Sequence, residues 1–251
     1  MSHGLGSGYD LSAGTYSQDG RVFQVEYAAK AVENSGNAIG IRGRDCVVLG
    51  VDKPRVSEML VRAAPKNATL SQNIGMTSAG LVADCRTLAN WCREECRSYK
   101  NQYHTEIPVR VLSERLSLEM QEHTTTSYYR PYGATVILGG FDEDHTKPQL
   151  FMVEPSGKSF GYRACSCGMN QSPARTELEK LDLPNLGAEE AVMTVARILH
   201  QIHDESKNLA FELELSWACA ATGFRHVPVP PELLARAEEA AKRFLEERDH
   251  A

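Results

Sequence analysis

Apolar residues along the chain recur with two different periods, and the changes of period divide it into elements. Between residues 81 and 103 they fall at three- and four-residue steps: Leu81, Cys85, Leu88, Cys92, Cys96, Tyr99 and Tyr103. Such a stripe predicts an amphipathic helix that lays one face on a sheet. Leu112, Leu116, Met120 and His123 repeat the spacing after Pro108 and predict a second helix. Two more are expected near 169–181 and 187–206, the latter with Val192, Val195, Leu199 and Ile202 on one side. Pro230-Pro231 opens a last helix, about 231–247, striped by Leu234, Ala237, Ala241 and Phe244. Between the helices lie short, nearly continuous apolar runs at 38–42, 46–52, 73–78, 134–141, 150–154, 158–162 and 211–219. Turns such as Gly43-Arg44-Asp45, Asp142–Lys147 and Pro155-Ser156-Gly157 separate them. These runs read as strands covered on both faces. Residues 54–72 and 222–229 show no clear period.

Strands therefore arrive in groups, flanked by pairs of helices, instead of alternating singly with them. That order disfavours a doubly wound parallel sheet and predicts an α+β fold. Two sheets packed face to face, with helix pairs on the outer faces, make a four-layer αββα sandwich. Residues 17–251 carry no break in composition and no repeat, so they read as one domain. Residues 1–16 are small, polar and Gly-rich, and read as a flexible tail.

One further helix precedes the sandwich. SQDGRVFQVEYAAKAV, residues 17–32, predicts a helix over about 20–32 that Asp19 can cap and Asn34-Ser35-Gly36 ends. Glu26 and Lys30 form a favourable i,i+4 pair. Val22, Val25 and Ala29 lie on one side of this helix, and Phe23, Tyr27 and Ala31 on the flank beside it. Together they exceed the stripe needed to sit on one sheet. Fully burying such an aromatic side chain is worth roughly 1.5–3 kcal/mol, so an uncovered flank is a sizeable unused gain. Two readings stay open: a few exposed apolar residues, as on many surfaces, or a face covered by a second chain.

Composition narrows the partners. Hydrophobic residues make up 42%, charged residues 24%, and the net charge is −6. The basic residues are scattered, which predicts no nucleic-acid partner. No apolar run approaches the ~20 residues that cross a bilayer, so no membrane partner is expected. MSHGLGSGYD has neither the charged nor the apolar region of a signal peptide. The seven cysteines are 46, 85, 92, 96, 165, 167 and 219. Their odd number predicts free thiols in a reducing compartment, cytoplasm and nucleus. Cys92-x-x-x-Cys96 and Cys165-x-Cys167 lack zinc spacing and read as buried structural thiols, and His200 and His203 as helix-surface residues. GLGSG lacks the context of a phosphate loop. No metal and no cofactor are expected.

Four segments carry a resemblance. GYDLSAGTYSQDGRVFQVEYAAKAVE (8–33) resembles the N-terminal signature of proteasome alpha-type subunits. IGMTSAGLVADCR (74–86), RPYGATVILGG (130–140) and FELELSWAC (211–219) are similar to segments of the same family. Tyr9-Asp10-Leu11-Ser12, VFQVEYAAKAVEN and FELELSW point within it to the alpha type-3 kind. The resemblance implies the αββα fold of N-terminal nucleophile hydrolases and a place in the seven-membered outer ring of the 20S core particle. Its partners would be other alpha subunits, the beta ring, the C-termini of regulatory particles and protein substrates in transit. The first helix would pack between neighbours, with Val22, Phe23 and Tyr27 as ring contacts.

The active beta relatives use an N-terminal threonine whose own amine serves as base. Asp52 and Lys66 match the aspartate and lysine that tune it. The nucleophile itself is missing, because the first strand is preceded by Ser35-Gly36-Asn37-Ala38 and by a long upstream segment. A non-catalytic subunit is expected. The rivals are a hydrolase that matures by cleavage and a stand-alone thiol or metal protein. Asp52 also reads as a strand-end turn residue, and Lys66 as a solvated surface lysine. The resemblance assigns Lys66, with Gly20 and Glu26, to a pocket between neighbouring subunits that receives a C-terminal carboxylate. It makes the tail a plug over the pore, with Tyr9, Asp10, Tyr27 and the turn at 17–20 holding the displaced form. Leu11 replaces an arginine common in the family, and Gln18 replaces the usual proline, which leaves that turn less restricted.

Overall fold

In the computed structural model, which describes residues 8–54, 59, 65–144, 147–203 and 211–249, the apolar runs gather into two antiparallel sheets. One has the order β10-β9-β2-β1-β8, built from Ala38–Arg42 (β1), Cys46–Pro54 (β2), Ala164–Cys167 (β8), Phe211–Cys219 (β9) and Val227–Pro228 (β10). The other has the order β3-β4-β5-β6-β7, from Ala68–Thr69 (β3), Ile74–Gly80 (β4), Ala134–Phe141 (β5), Pro148–Val153 (β6) and Ser159–Gly161 (β7). Val47, Leu49, Val51, Ile137 and Leu150 fill the space between the sheets. Helices α2 (Val82–Tyr103) and α3 (Val109–Thr125) cover the second sheet through Leu88, Cys92, Leu112, Leu116 and Met120. Helices α4 (Gln171–Glu179), α5 (Ala188–Ile202) and α6 (Pro231–Asp249) cover the first through Val192, Val195, Leu199 and Ala237. This is the predicted α+β sandwich of four layers. Its strands read as unbroken apolar runs because both faces of each sheet are covered.

The periodic elements sit close to their predicted bounds, and the exceptions have local causes. β8 escapes the sequence because ACSC alternates weakly; it is a strand only through its pairing with β1, Cys165 opposite Gly40. The helix α1 runs Phe23–Glu33 and does not begin at Gly20. Gly20 has φ 74°, in the left-handed region, and closes a turn by donating its N–H to the Ser17 carbonyl at 2.9 Å. Asp19 caps nothing: the N-cap is Val22, and no side chain bonds to the helix end. Instead Ser17 Oγ accepts the Arg21 N–H at 3.0 Å. Glu26 pairs with Arg21, whose Nε donates to Oε1 at 2.7 Å, and not with Lys30. The stripe of α2 also frays at its ends, since Leu81 and Tyr103 are exposed. His200 and His203 are half-buried rather than fully exposed, and both rings pack on Phe211, at 4.8 and 4.4 Å.

The seven cysteines are free thiols, and all but Cys85 are buried. Burial in apolar surroundings pushes the Cys92, Cys96, Cys165 and Cys167 thiols well up, so they stay protonated and inert. Among the described residues there is no cluster of three or more His, Cys, Asp or Glu suited to a metal. None of their helices is long and apolar enough to cross a membrane.

His226 ties the rims of the two sheets together. Its N–H donates to the Gln72 carbonyl at 2.8 Å, and its Nδ1 lies 2.9 Å from Thr69 Oγ1. The ring lies flat on Gly75, where an added Cβ would come within 2.0 Å of Nε2. Burial pushes its pKa down to about 4. The ordinary imidazole value is about 6.5, so the neutral ring's contribution is full above that pH and drains away as pH falls toward 4. The loss amounts to at most about 3 kcal/mol. Urea unfolding at pH 7 and pH 4.5 should show a drop for the parent chain that is smaller in His226→Gln.

Candidate functional site

Asn37 stands immediately before β1, and Asp52 lies opposite it near the end of β2. The backbone pairs them first: the Asp52 N–H donates to the Asn37 carbonyl at 3.1 Å. The side chains complete the ring, with the Asn37 N–H 2.5 Å from Asp52 Oδ1 and Asn37 Nδ2 2.7 Å from Oδ2. Asn37 Oδ1 accepts the Asn170 N–H at 2.7 Å, which joins the segment after β8. Every polar atom of the Asn37 side chain is thereby committed to structure.

Lys66 reaches the same place from the other sheet. Its Nζ donates to the Asp52 carbonyl at 3.1 Å. Gly36 lies between the charged groups: a Cβ there would be 2.5 Å from Asp52 Oδ1 and 2.8 Å from Lys66 Nζ. Asp52 is 4% exposed and Lys66 is half-buried, so neither is a solvated surface group. Burial pushes the Asp52 carboxyl up despite the Asn37 hydrogen bonds and the nearby ammonium. The same cause pushes Lys66 down, with Asp52 opposing. The sequence therefore located both residues but not their burial.

Lys66 also lines a cavity of about 280 Å³ under the start of α2. Arg86 and Arg93 stand on its wall with Asn67, Ser78 and Cys85, and among the described residues no acidic one lines it. Three cationic residues therefore line one concavity. The two arginines went unread in the sequence, where nothing in the α2 stripe distinguishes them from an ordinary solvated helix face.

The residues before α1 fold back on the domain. Gln18 Nε2 donates to the Tyr9 hydroxyl at 3.4 Å, and Gln24 Nε2 to the Asp10 carbonyl. Gly14 lies against the end of α3, where a Cβ would approach the Thr125 carbonyl to 2.9 Å. Residues 1–7 of the expected tail, including Gly4 and Gly6, lie outside the described residues. On α1 only Ala28 and Val32 are buried. Val22, Phe23, Val25, Ala29 and Ala31 are half-buried, and Tyr27 is 45% exposed with its ring stacked on Phe23 at 6.2 Å. Leu81 and Val82, at the start of α2, are exposed as well. Gly133 joins the two elements, since a Cβ there would meet Leu81 at 3.0 Å and Ala31 at 3.5 Å. Glu26, held by Arg21, has its carboxyl drawn below the usual range by that guanidinium.

Comparison with known proteins decides the family. The family model for proteasome subunits matches residues 32–218, and that for the N-terminal signature of A-type proteasome subunits matches residues 9–31. The chain belongs to the proteasome alpha-subunit family. It is 49% identical to the alpha type-3 proteasome subunit of Acanthamoeba castellanii over 246 residues, covering 98% of this chain and 97% of the relative. It is 45% identical to the alpha type-3 proteasome subunit of Arabidopsis thaliana, covering 98% of each. To a probable alpha type-7 proteasome subunit of Saccharomyces cerevisiae it is 40% identical, over 96% of this chain and 85% of that one. The alpha-type signature spans the folded-back segment, the turn at Gly20 and most of α1. The wider proteasome match takes in β1 to β8, nearly all of β9 and helices α2 to α5, including Asn37, Asp52 and Lys66.

Proposed function

We propose that the chain is a non-catalytic subunit of the seven-membered outer alpha ring of the 20S proteasome. There it shapes the ring, controls admission of protein substrates to the pore, and receives the C-termini of regulatory particles in ubiquitin-dependent degradation. Its neighbours are other alpha subunits and the beta ring, it needs no cofactor, and it works in cytoplasm and nucleus. The half-exposed flank of α1 carries this reading, because Phe23 and Tyr27 leave apolar surface that a neighbouring chain would cover. Lack of catalysis is supported by Asn37, an amide without nucleophilic character whose polar atoms are all hydrogen-bonded, just before the first strand where active beta subunits carry their threonine. Gating is supported by the bonds of Gln18 to Tyr9 and of Gln24 to Asp10, which draw the start of the chain toward α1.

Docking is supported by the cationic cavity. A carboxylate entering it would meet Lys66, Arg86 and Arg93 in a partly enclosed space where charge is poorly screened. Glu26 of a neighbouring subunit would complete the wall beside the turn at Gly20. Lys66→Ala should weaken binding of a regulatory C-terminal peptide to the assembled particle about tenfold, the worth of one hydrogen bond to a charged group. Ring assembly, read by native gel, should be unchanged. Equal peptide affinity in parent and variant would dismiss this role for the cavity.

A further inference from the structure

Glu214 lies in the middle of β9, in the FELELSW run, on the face opposite Leu213 and Leu215. An acidic residue there, with a side chain only 21% exposed, needs partners, and it has three. Its Oε2 accepts the Lys66 N–H at 3.0 Å and its Oε1 the Asn67 N–H at 3.3 Å. Lys53 Nζ, itself buried on β2, sits 3.2 Å from Oε2 and equally far from Glu212 Oε1. The link is returned by the neighbouring residue, since Asn67 Nδ2 donates to the Glu214 carbonyl at 3.1 Å. Two consecutive peptide N–H groups held by one carboxylate leave little freedom in the direction of the side chain between them. At its far end that side chain is held by the Asp52 carbonyl.

We infer that Glu214 is a positioning residue for Lys66: it clamps the backbone just before β3 and so holds the side chain on the cavity wall with its ammonium on the Asp52 carbonyl. The consequence for docking rests on the reading given under Proposed function; the clamp itself does not. Asp52 takes the ammonium end and Glu214 the backbone end. Glu212 shares Lys53 with Glu214, yet the Lys66 and Asn67 N–H groups both go to Glu214. It therefore separates the charge of the cluster from the clamp.

The test uses assembled particles carrying Glu214→Gln, Glu214→Asp or Glu212→Gln in this subunit, with Lys66→Ala as reference. The first readout is the rate at which acetic anhydride labels Lys66, followed by mass spectrometry without any activator. A loosened backbone frees the ammonium from Asp52, so Glu214→Gln should label several-fold faster and Glu212→Gln like the parent. The second readout is photo-cross-linking of a peptide with a free C-terminal carboxylate to this subunit. Glu214→Gln should lower it by about three- to tenfold, the range for losing one ordinary hydrogen bond. Glu214→Asp, which keeps the charge on a shorter arm, should fall between and serves if the glutamine variant does not assemble. Unchanged labelling of Lys66 in both Glu214 variants overturns the clamp whatever the peptide does. Faster labelling together with full cross-linking in Lys66→Ala keeps the clamp and overturns the docking reading instead.

Discussion

Phe23→Ser combined with Tyr27→Ser is expected to leave a folded chain that no longer enters a ring. Neither side chain is in the buried core of the protomer, and Tyr27 is 45% exposed, so the four layers lose little. On the proposed reading, burial of the remainder belongs to the assembled state. Losing about 1.5 kcal/mol at each position removes about 3 kcal/mol from the interface, roughly a hundredfold in association. The measurement is co-expression with neighbouring alpha subunits followed by size exclusion and circular dichroism. A normal helical spectrum with the chain absent from the ring fraction is the expected result. Incorporation at the parent level would show that the flank of α1 is not an interface.

Gly168→Ala should produce a large loss of stability for the addition of a single methyl group. Gly168 has φ 112°, where a side chain is strained whatever the space. The space is also closed, since a Cβ would lie 2.3 Å from the Gly36 carbonyl oxygen and 2.8 Å from the Asn37 Cα. Both obstacles are backbone and cannot swing aside. Strain and overpacking together cost roughly 4 kcal/mol. Relief would push residues 36–37 away from β8 and open the Asn37–Asp52 ring of hydrogen bonds. Denaturant midpoints of parent and variant decide it, and a shift smaller than a quarter of that cost would show that the segment accommodates the methyl group.

Much of the architecture was legible in the chain because it depends on near neighbours in sequence. Apolar steps of three and four residues marked α2, α3, α5 and α6, and unbroken apolar runs marked β2, β5 and β9. What failed also failed locally. Asp19 looked like a cap, but the positive φ of Gly20 places a turn between it and the helix, so Ser17 serves the turn instead. Glu26 had Lys30 at the ordinary helical spacing, yet Arg21, from the non-helical turn, is the partner that reaches it. β8 has too few apolar residues to announce itself and is defined by the register of β1.

The candidate site divides along the same line. Asn37, Asp52 and Lys66 could be picked out by position. The cationic wall of Arg86 and Arg93 could not be, because residues on an exposed helix face look alike until the neighbouring strand closes a concavity over them. The hold of Glu214 on Lys66 was equally out of reach, since 148 residues separate the partners.

By itself the sequence determined the order of the main helices and strands, the α+β layering, the family, and the surplus of apolar surface on the first helix, for periodicity and composition act over a few residues at a time. Tertiary structure alone decided which carboxylate meets which cation, how deeply Lys66 and Asp52 are withdrawn from water, and where the cavity opens. Those depend on the distances between sheets and helices that meet only after the chain has closed upon itself.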